Sequence, residues 1–319
     1  DWGYAFAGTP RLNDLVAVHR VYVAEGFTSG IESGVDRLVG DLKGWRKVLA
    51  FAHTPAIKIM AAVVVDEDTA LLARILGSHA LPPAQLEPMS HASIPLTKDE
   101  RSWQWPIRHQ VALWLSQGHD PSTSETLAAS RNDSFHHHEW VAQQAGLAGN
   151  AFVSITPPEP AGTWLTQLKD KQRTLNFYGA YYQQLISAAE ISNGSLPKIQ
   201  DLLKTRPQGS LDRWLKPLPK IEEDRPQTAW KALTTRVTET DVRLRLLALQ
   251  LKLRQGGETT PIVDRIVAAG PDLYDPFTGI PMLWSQSRRT IYSVGKDGID
   301  DGGDPNFDLT VPLFEPGGG

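Results

Sequence analysis

From Leu12 to about Ala80, apolar residues recur every three or four positions, the period that lines them along one face of a helix. Ile31, Val35, Leu38, Leu42 and Trp45 make one such stripe, and Ser29-Gly-Ile-Glu32 at its start has the spacing of a capping box. Thr54-Pro55 predicts a second start, because proline's fixed φ suits the first helical position and its missing N–H is not needed there. That helix runs through Ile59 and Val63, and Leu71, Leu72, Ile75 and Leu76 predict a third. The run Ala61 to Val65 is stopped by Asp66-Glu67-Asp68, far short of the roughly 20 apolar residues that cross a bilayer.

Five of the 23 prolines fall between Leu81 and Pro106, so this stretch reads as a surface loop that tucks in Trp103 and Trp105. Val111 to Leu115 fits a short helix or a strand equally well, and Gly118 to Ser134 is polar. Thr156-Pro-Pro-Glu-Pro160 predicts a stiff linker and a domain boundary. Trp164 to about Ile191 predicts a long helix ended by Asn193-Gly194, and Leu196 to Thr228 is broken again by proline. Thr240-Asp241 reads as the cap of the last strong helix, where Val242, Leu246, Leu249 and Leu253 form one stripe and Leu244, Leu247 and Leu251 a second. A helix apolar on two sides is buried between partners. After Gly256-Gly257 and a short helix at Ile262 to Val267, Met282–Trp284 and Ile291–Val294 flank the polar turn Ser285 to Arg289 and predict a hairpin. The fold class expected is mainly α, a multi-helix N-terminal region with a small C-terminal antiparallel β hairpin and an acidic Gly/Asp loop. Its expected regions are 1–155, 156–235 and 236–319, or one compact domain.

Composition narrows the functions. Hydrophobic residues at 41% and charged residues at 21% are those of a globular protein, and a net charge of -4 offers no basic surface to nucleic acid or acidic lipid. The absence of cysteine removes thiolate nucleophiles, disulfides and Cys-based zinc sites. The start Asp1-Trp-Gly-Tyr-Ala-Phe lacks an initiator Met, so a processed or trimmed chain is expected, with room for an anchor before Asp1.

The most distinctive chemistry is at the end. Between Gly295 and Asp304 lie four glycines and four carboxylates, too flexible and too acidic to pack unaided. Calcium takes six to eight oxygen ligands, and Asp297, Asp300, Asp301, Asp304 and Asp308 supply carboxylates in a chain that glycine lets wrap tightly. The plainer reading is a solvated turn whose Asp side chains cap local backbone groups.

Asp275-Pro-Phe-Thr-Gly-Ile-Pro-Met282, Tyr292-Ser-Val-Gly-Lys-Asp-Gly-Ile-Asp-Asp-Gly-Gly303 and Asp308-Leu-Thr-Val-Pro-Leu313 follow one another after the last long helix. This order over 241–313 resembles the C-terminal half of type II secretion major pseudopilins, and also the tail of a group of uncharacterised membrane-anchored bacterial proteins. The resemblance implies calcium near Asp297 and Asp304 or Asp308, with main-chain carbonyls around Val294. It also implies a periplasmic or exported, inner-membrane-anchored protein with a protein partner in the envelope. The pilin-type N-terminal helix is not seen, so a calcium clip fits better than a fibre subunit. The favoured role is a non-enzymatic envelope scaffold or binding protein, secretion- or pilus-related by resemblance.

Two rivals stand beside it. His136-His-His-Glu139 suits zinc, nickel or copper and, joined by His91, His109 or His119, predicts a metal-dependent hydrolase. Consecutive side chains diverge, however, and Ala142 stands where His-Glu-x-x-His needs its second histidine. Trp103 and Trp105 exposed side by side predict a sugar- or peptide-binding module, although most tryptophans are core anchors. Asp66/Asp68 and Glu222/Glu223 lie in charge runs of the kind that usually face water.

Overall fold

The structure, a computed structural model, describes residues 12–109, 224–255 and 260–313. Expectations for 111–115, 118–140, 151–194 and 196–223, including the Thr156–Pro160 linker and the Asn193-Gly194 stop, lie outside these residues, as does the Gly256-Gly257 stop. The helices are α1 (Leu12–Gly26), α2 (Ile31–Phe51), α3 (Pro55–Ser78), α4 (Pro83–Ala92), α5 (Lys98–Arg101), α6 (104–109), α7 (Asp224–Gln255) and α8 (Ile262–Ala268). Strands β1 (Leu283–Ser285), β2 (Thr290–Ser293) and β3 (Leu309–Pro312) form one antiparallel sheet in that order. The chain is thus mainly helical with a small C-terminal sheet, as expected. No helix of the described residues is long and apolar enough to cross a membrane.

Two compact units divide these residues. The larger gathers 14–50, 60–101, 236–255 and 260–313. Its core includes the middle of the α2 stripe, with Val35, Leu38 and Leu42 fully buried while Ile31 is exposed and Trp45 half-buried, and both predicted stripes of α7 from Val242 to Leu253. The cap of α2 falls one residue later than the Ser29–Glu32 box predicts. Gly30, at φ 114°, accepts the N–H of Gly34 and so occupies the capping position. At α3 the predicted cap is made, with Thr54 Oγ1 accepting the Ile57 N–H at 3.2 Å.

Three expectations change. The separate third helix is absent, because α3 continues through Asp66-Glu67-Asp68 to Ser78. Partners for those carboxylates come from α1 and α7, so the run costs the helix little. The loop expected from Leu81 to Pro106 contains α4 and α5. Pro83 takes the first turn of α4, where proline is tolerated, and α5 opens on a reciprocal capping box. Glu100 Oε2 accepts the Thr97 N–H at 2.6 Å and Thr97 Oγ1 accepts the Glu100 N–H at 3.3 Å. Finally, Thr240-Asp241 lies inside α7 and does not cap it. Thr240 Oγ1 turns back to the Arg236 carbonyl, and buried Asp241 accepts the Leu96 N–H at 2.7 Å and pairs with Arg245 at 2.9 Å.

Arg46 fastens α2 to the α4–α5 segment. Its guanidinium donates to both carboxylate oxygens of Glu100, at 2.6 and 2.8 Å, and to the carbonyls of Ala92, Ile94 and Pro95. All five N–H donors are used in a buried place.

The predicted hairpin is β1–β2, with Leu283 opposite Tyr292 and Ser285 opposite Thr290. The third strand was not expected. β3 pairs along β2 from Thr290–Pro312 to Ser293–Leu309, and its proline is tolerated because it sits on an edge strand. Gln250 of α7 donates to the carbonyls of Pro312 and Ala73, tying sheet, α7 and α3. At Gly77 a Cβ would come within 2.5 Å of the Pro312 ring, so the missing side chain lets β3 approach α3.

In the smaller unit, 51–59, 102–109 and 224–235, the core includes Ala52, Ile59, Trp103, Ile107 and Leu233. Buried Lys58 holds its ammonium 5.8 Å from the centre of the Trp103 ring.

Burial alone would raise the Glu100 carboxyl, but the hydrogen bonds and charge of Arg46 hold it below its ordinary value of 4.5. A carboxylate lowered on folding stabilises above its unfolded pKa and loses that contribution as pH falls through its folded pKa. Glu100→Gln is therefore expected to cost about 1–3 kcal/mol near neutrality. In urea unfolding the gap from wild type stays flat above about pH 5 and narrows at lower pH.

Candidate functional site

The acidic loop hangs from β2 and returns through β3. Its glycines are used as the sequence implies, with Gly295, Gly298, Gly302 and Gly303 all at φ between 69° and 78°. At Gly303 the approach is also close, since a Cβ would lie 3.0 Å from Thr290 Oγ1 and 3.1 Å from Ser285 Cβ. Ser285 Oγ donates to the Gly302 carbonyl at 2.8 Å and draws the loop onto the sheet.

The five predicted ligands divide. Asp297 accepts the Ile299 N–H, and Asp304 accepts the Asn306 N–H and pairs with Arg288 at 2.9 Å; both are turn caps of the plainer kind. Asp300 accepts from the Gly302 N–H and from the Tyr292 hydroxyl at 2.9 Å. Burial first, then the Asp300 charge, pushes that phenol up to about 12. Asp308 is buried, and one of its oxygens accepts the Gly303 N–H at 2.8 Å while the other, Oδ1, makes no well-formed hydrogen bond. Its pKa is raised by burial and, against the pull of the Gly303 and Asp301 N–H groups, by the charges of Asp301 and Asp300. Asp300, Asp301 and Asp308 thus share one field, while Asp297 and Asp304 are occupied elsewhere.

A second group was not anticipated. Among the described residues, His19, Asp41 and Asp68 are the set in which one nitrogen and two carboxylate oxygens lie within 4.8 Å of one another. His19 comes from α1, Asp41 from α2 and Asp68 from α3, so three helices fix the geometry. His19 Nδ1 is 2.9 Å from Asp41 Oδ2, and Nε2 is 3.3 Å from Asp68 Oδ1. The edge of the imidazole meets the Trp45 ring at 6.2 Å. Burial opposes the charged imidazole, yet the two carboxylates outweigh it and raise His19 to about 9. Asp68 rises to about 7, because burial and the neighbouring Asp41 together exceed the help from His19. The imidazole and the two carboxylates, Asp68 buried and Asp41 half-buried, thus hold their protons in common.

His19 and Asp68 also line a cavity of about 530 Å³, whose apolar walls include Val23, Phe27, Leu71 and Ile75. Arg20 and Glu67, joined at 3.0 Å, border it together with His79. Beside this group, Asp66 meets Arg236 at 2.6 Å and Arg243 at 3.6 Å. The Asp66/Asp68 pair is therefore buried, contrary to the solvated face expected of a charge run.

No family model, curated protein or solved structure matches the chain.

His136-His-His-Glu139 and His119 lie outside the described residues. His91 is exposed, 4.0 Å from Glu87 in the next turn, and neither it nor His109 joins the group around His19. Trp103 is 2% exposed and Trp105 48%, so the two rings form no exposed platform for stacking. Trp105 meets His53 edge-on and lies under Arg108.

The loop geometry makes Gly303 testable. Gly303→Ala adds a side chain in a left-handed conformation against β1 and β2, and an expected loss of about 1–3 kcal/mol is checked by thermal unfolding. Gly298→Ala, with open space around its Cβ, is expected to lose less.

Proposed function

We propose that this chain is a non-enzymatic scaffold or binding protein of the cell envelope whose C-terminal module is tightened by calcium. The observation that carries the calcium reading is the buried carboxylate of Asp308, whose Oδ1 makes no well-formed hydrogen bond, in the shared field of Asp300 and Asp301. A buried carboxylate oxygen without a donor is costly, and like charges beside it add to the cost. A hard cation removes both penalties, and flexible oxygen-rich loops are where calcium binds. Asp308, Asp300 and Asp301 would hold it together with main-chain carbonyls, while Asp297 and Asp304 shape the turns on either side.

The envelope and a protein partner there are supported by the motif order over 241–313, which resembles secretion pseudopilins and membrane-anchored bacterial tails. The sheet's attachment to α7 and α3 through Gln250 makes the loop a clip on a helical body. Closure of the clip stabilises and presents a surface; it carries out no reaction.

Melting temperatures in millimolar calcium and in chelator test this. Wild type is expected to melt higher with calcium, and Asp308→Asn to lose most of that difference while remaining folded in chelator. Equal melting of wild type in both conditions overturns the calcium clip.

A further inference from the structure

We propose that His19, Asp41 and Asp68 bind a divalent transition-metal cation of the zinc class at the wall of the neighbouring cavity.

The donor set is one imidazole nitrogen and two carboxylate oxygens, borderline-to-hard ligands that suit zinc, cobalt or manganese. Around a tetrahedral zinc with bonds of about 2.0–2.1 Å, adjacent ligand atoms stand about 3.4 Å apart. Nε2 of His19 and Oδ1 of Asp68 are separated by 3.3 Å, and all three donors lie within 4.8 Å, so modest side-chain movement completes the triangle. Three protein ligands leave coordination open to water, the pattern of reactive rather than closed structural zinc sites. The open side has somewhere to face, since His19 and Asp68 line the cavity.

A second observation separates this from an ordinary charge cluster. Asp68, whose side chain is buried, keeps its Oδ2 without a hydrogen-bond partner. His19 Nδ1 is engaged with Asp41 Oδ2 at 2.9 Å, so Nε2 is the nitrogen offered on the Asp68 side. A buried carboxylate oxygen left without a donor is unfavourable, and a hydrogen-bonded triad alone does not engage it. A cation beside Asp68 uses the lone pairs of Oδ2 that hydrogen bonds leave idle.

Each ligand comes from a different helix, so the site is held by packing and not by a loop. That distinguishes it from the acidic tail, where glycine backbone and hard oxygen ligands favour calcium.

The test is a cobalt(II) titration followed by visible absorption. The chain carries His136→Ala, His137→Ala and His138→Ala so that the histidine run does not contribute. One cobalt per chain is expected, with d–d bands displaced by zinc and unaffected by excess calcium. Asp68→Asn is expected to weaken binding at least about tenfold, since even groups that only support metal ligands act on that scale. Circular dichroism of the variant checks its fold. If Asp68→Asn does not fold, manganese(II) is added to the parent chain and the His19 ring signals are followed by NMR; selective broadening supports the site and none overturns it. Absence of stoichiometric cobalt binding, or affinity unchanged in folded Asp68→Asn and Asp41→Asn, leaves only an ionic triad and overturns the proposal.

Discussion

Carboxylates carried into a core must meet cations there, and α3 obeys this constraint at Asp66 and Asp68, while half-exposed Glu67 between them pairs at the surface. Asp66 faces Arg236 and Arg243 of α7, Glu67 faces Arg20 of α1, and Asp68 faces His19 of α1. Successive residues on a helix point about 100° apart, so the three acids address different neighbours. The run therefore acts as a key for which helices lie beside α3. Buried ion pairs add little net stability, because desolvation offsets their attraction, but a wrong neighbour would leave a charge unmet. Their contribution is to the uniqueness of the arrangement.

The same rule governs the segment between α4 and α5, where Pro95 argues against regular structure. Buried backbone there needs partners, and side chains provide them. Arg46 satisfies the carbonyls of Ala92, Ile94 and Pro95, while Asp241 satisfies the N–H of Leu96. Two charged residues from α2 and α7 thus do for an irregular stretch what a hydrogen-bonded ladder does for a strand. Arg46 is suited to this because its planar fork reaches Glu100 and three carbonyls at once, which a lysine would not.

What was legible in the sequence follows from range. The stripes of α2 and α7, the Thr54 cap and the β1–β2 hairpin depend on neighbours a few residues away, and periodicity exposes them. The readings that changed depend on distant partners. Asp66-Glu67-Asp68 looks like a solvated stop because nothing local reveals Arg20 or Arg236. Thr240-Asp241 looks like a cap because its chemistry is the same whether it meets helix N–H groups or, as here, Leu96. β3 is four residues ending in proline, too short to show alternation. The Thr97-Lys-Asp-Glu100 box was readable by its spacing and was obscured by the prolines around it. Of the sites, the acidic loop is contiguous and announces itself, whereas His19, Asp41 and Asp68 are spread over 50 residues of ordinary helix. A buried charge run in α3 was the only available clue to that group.

The two groups of carboxylates place different demands on the backbone. In the tail, positive-φ glycines allow the loop's path, but their freedom makes its order expensive, since glycine loses more conformational entropy on folding than any other residue. An ion there would offset that cost directly, so its effect belongs to stability. His19, Asp41 and Asp68 ride on helices whose apolar faces are buried independently of them, with Val16, Val23, Leu38, Leu42, Leu72 and Leu76 all in the core. Their geometry is already set by packing, and a cation would gain affinity from that preorganisation without being needed for the fold. A ligand that is not needed for folding is available for binding or chemistry in the adjoining cavity. Among the described residues the helix-mounted group, not the more conspicuous acidic loop, is therefore where packing alone would preorganise ligands for a cation.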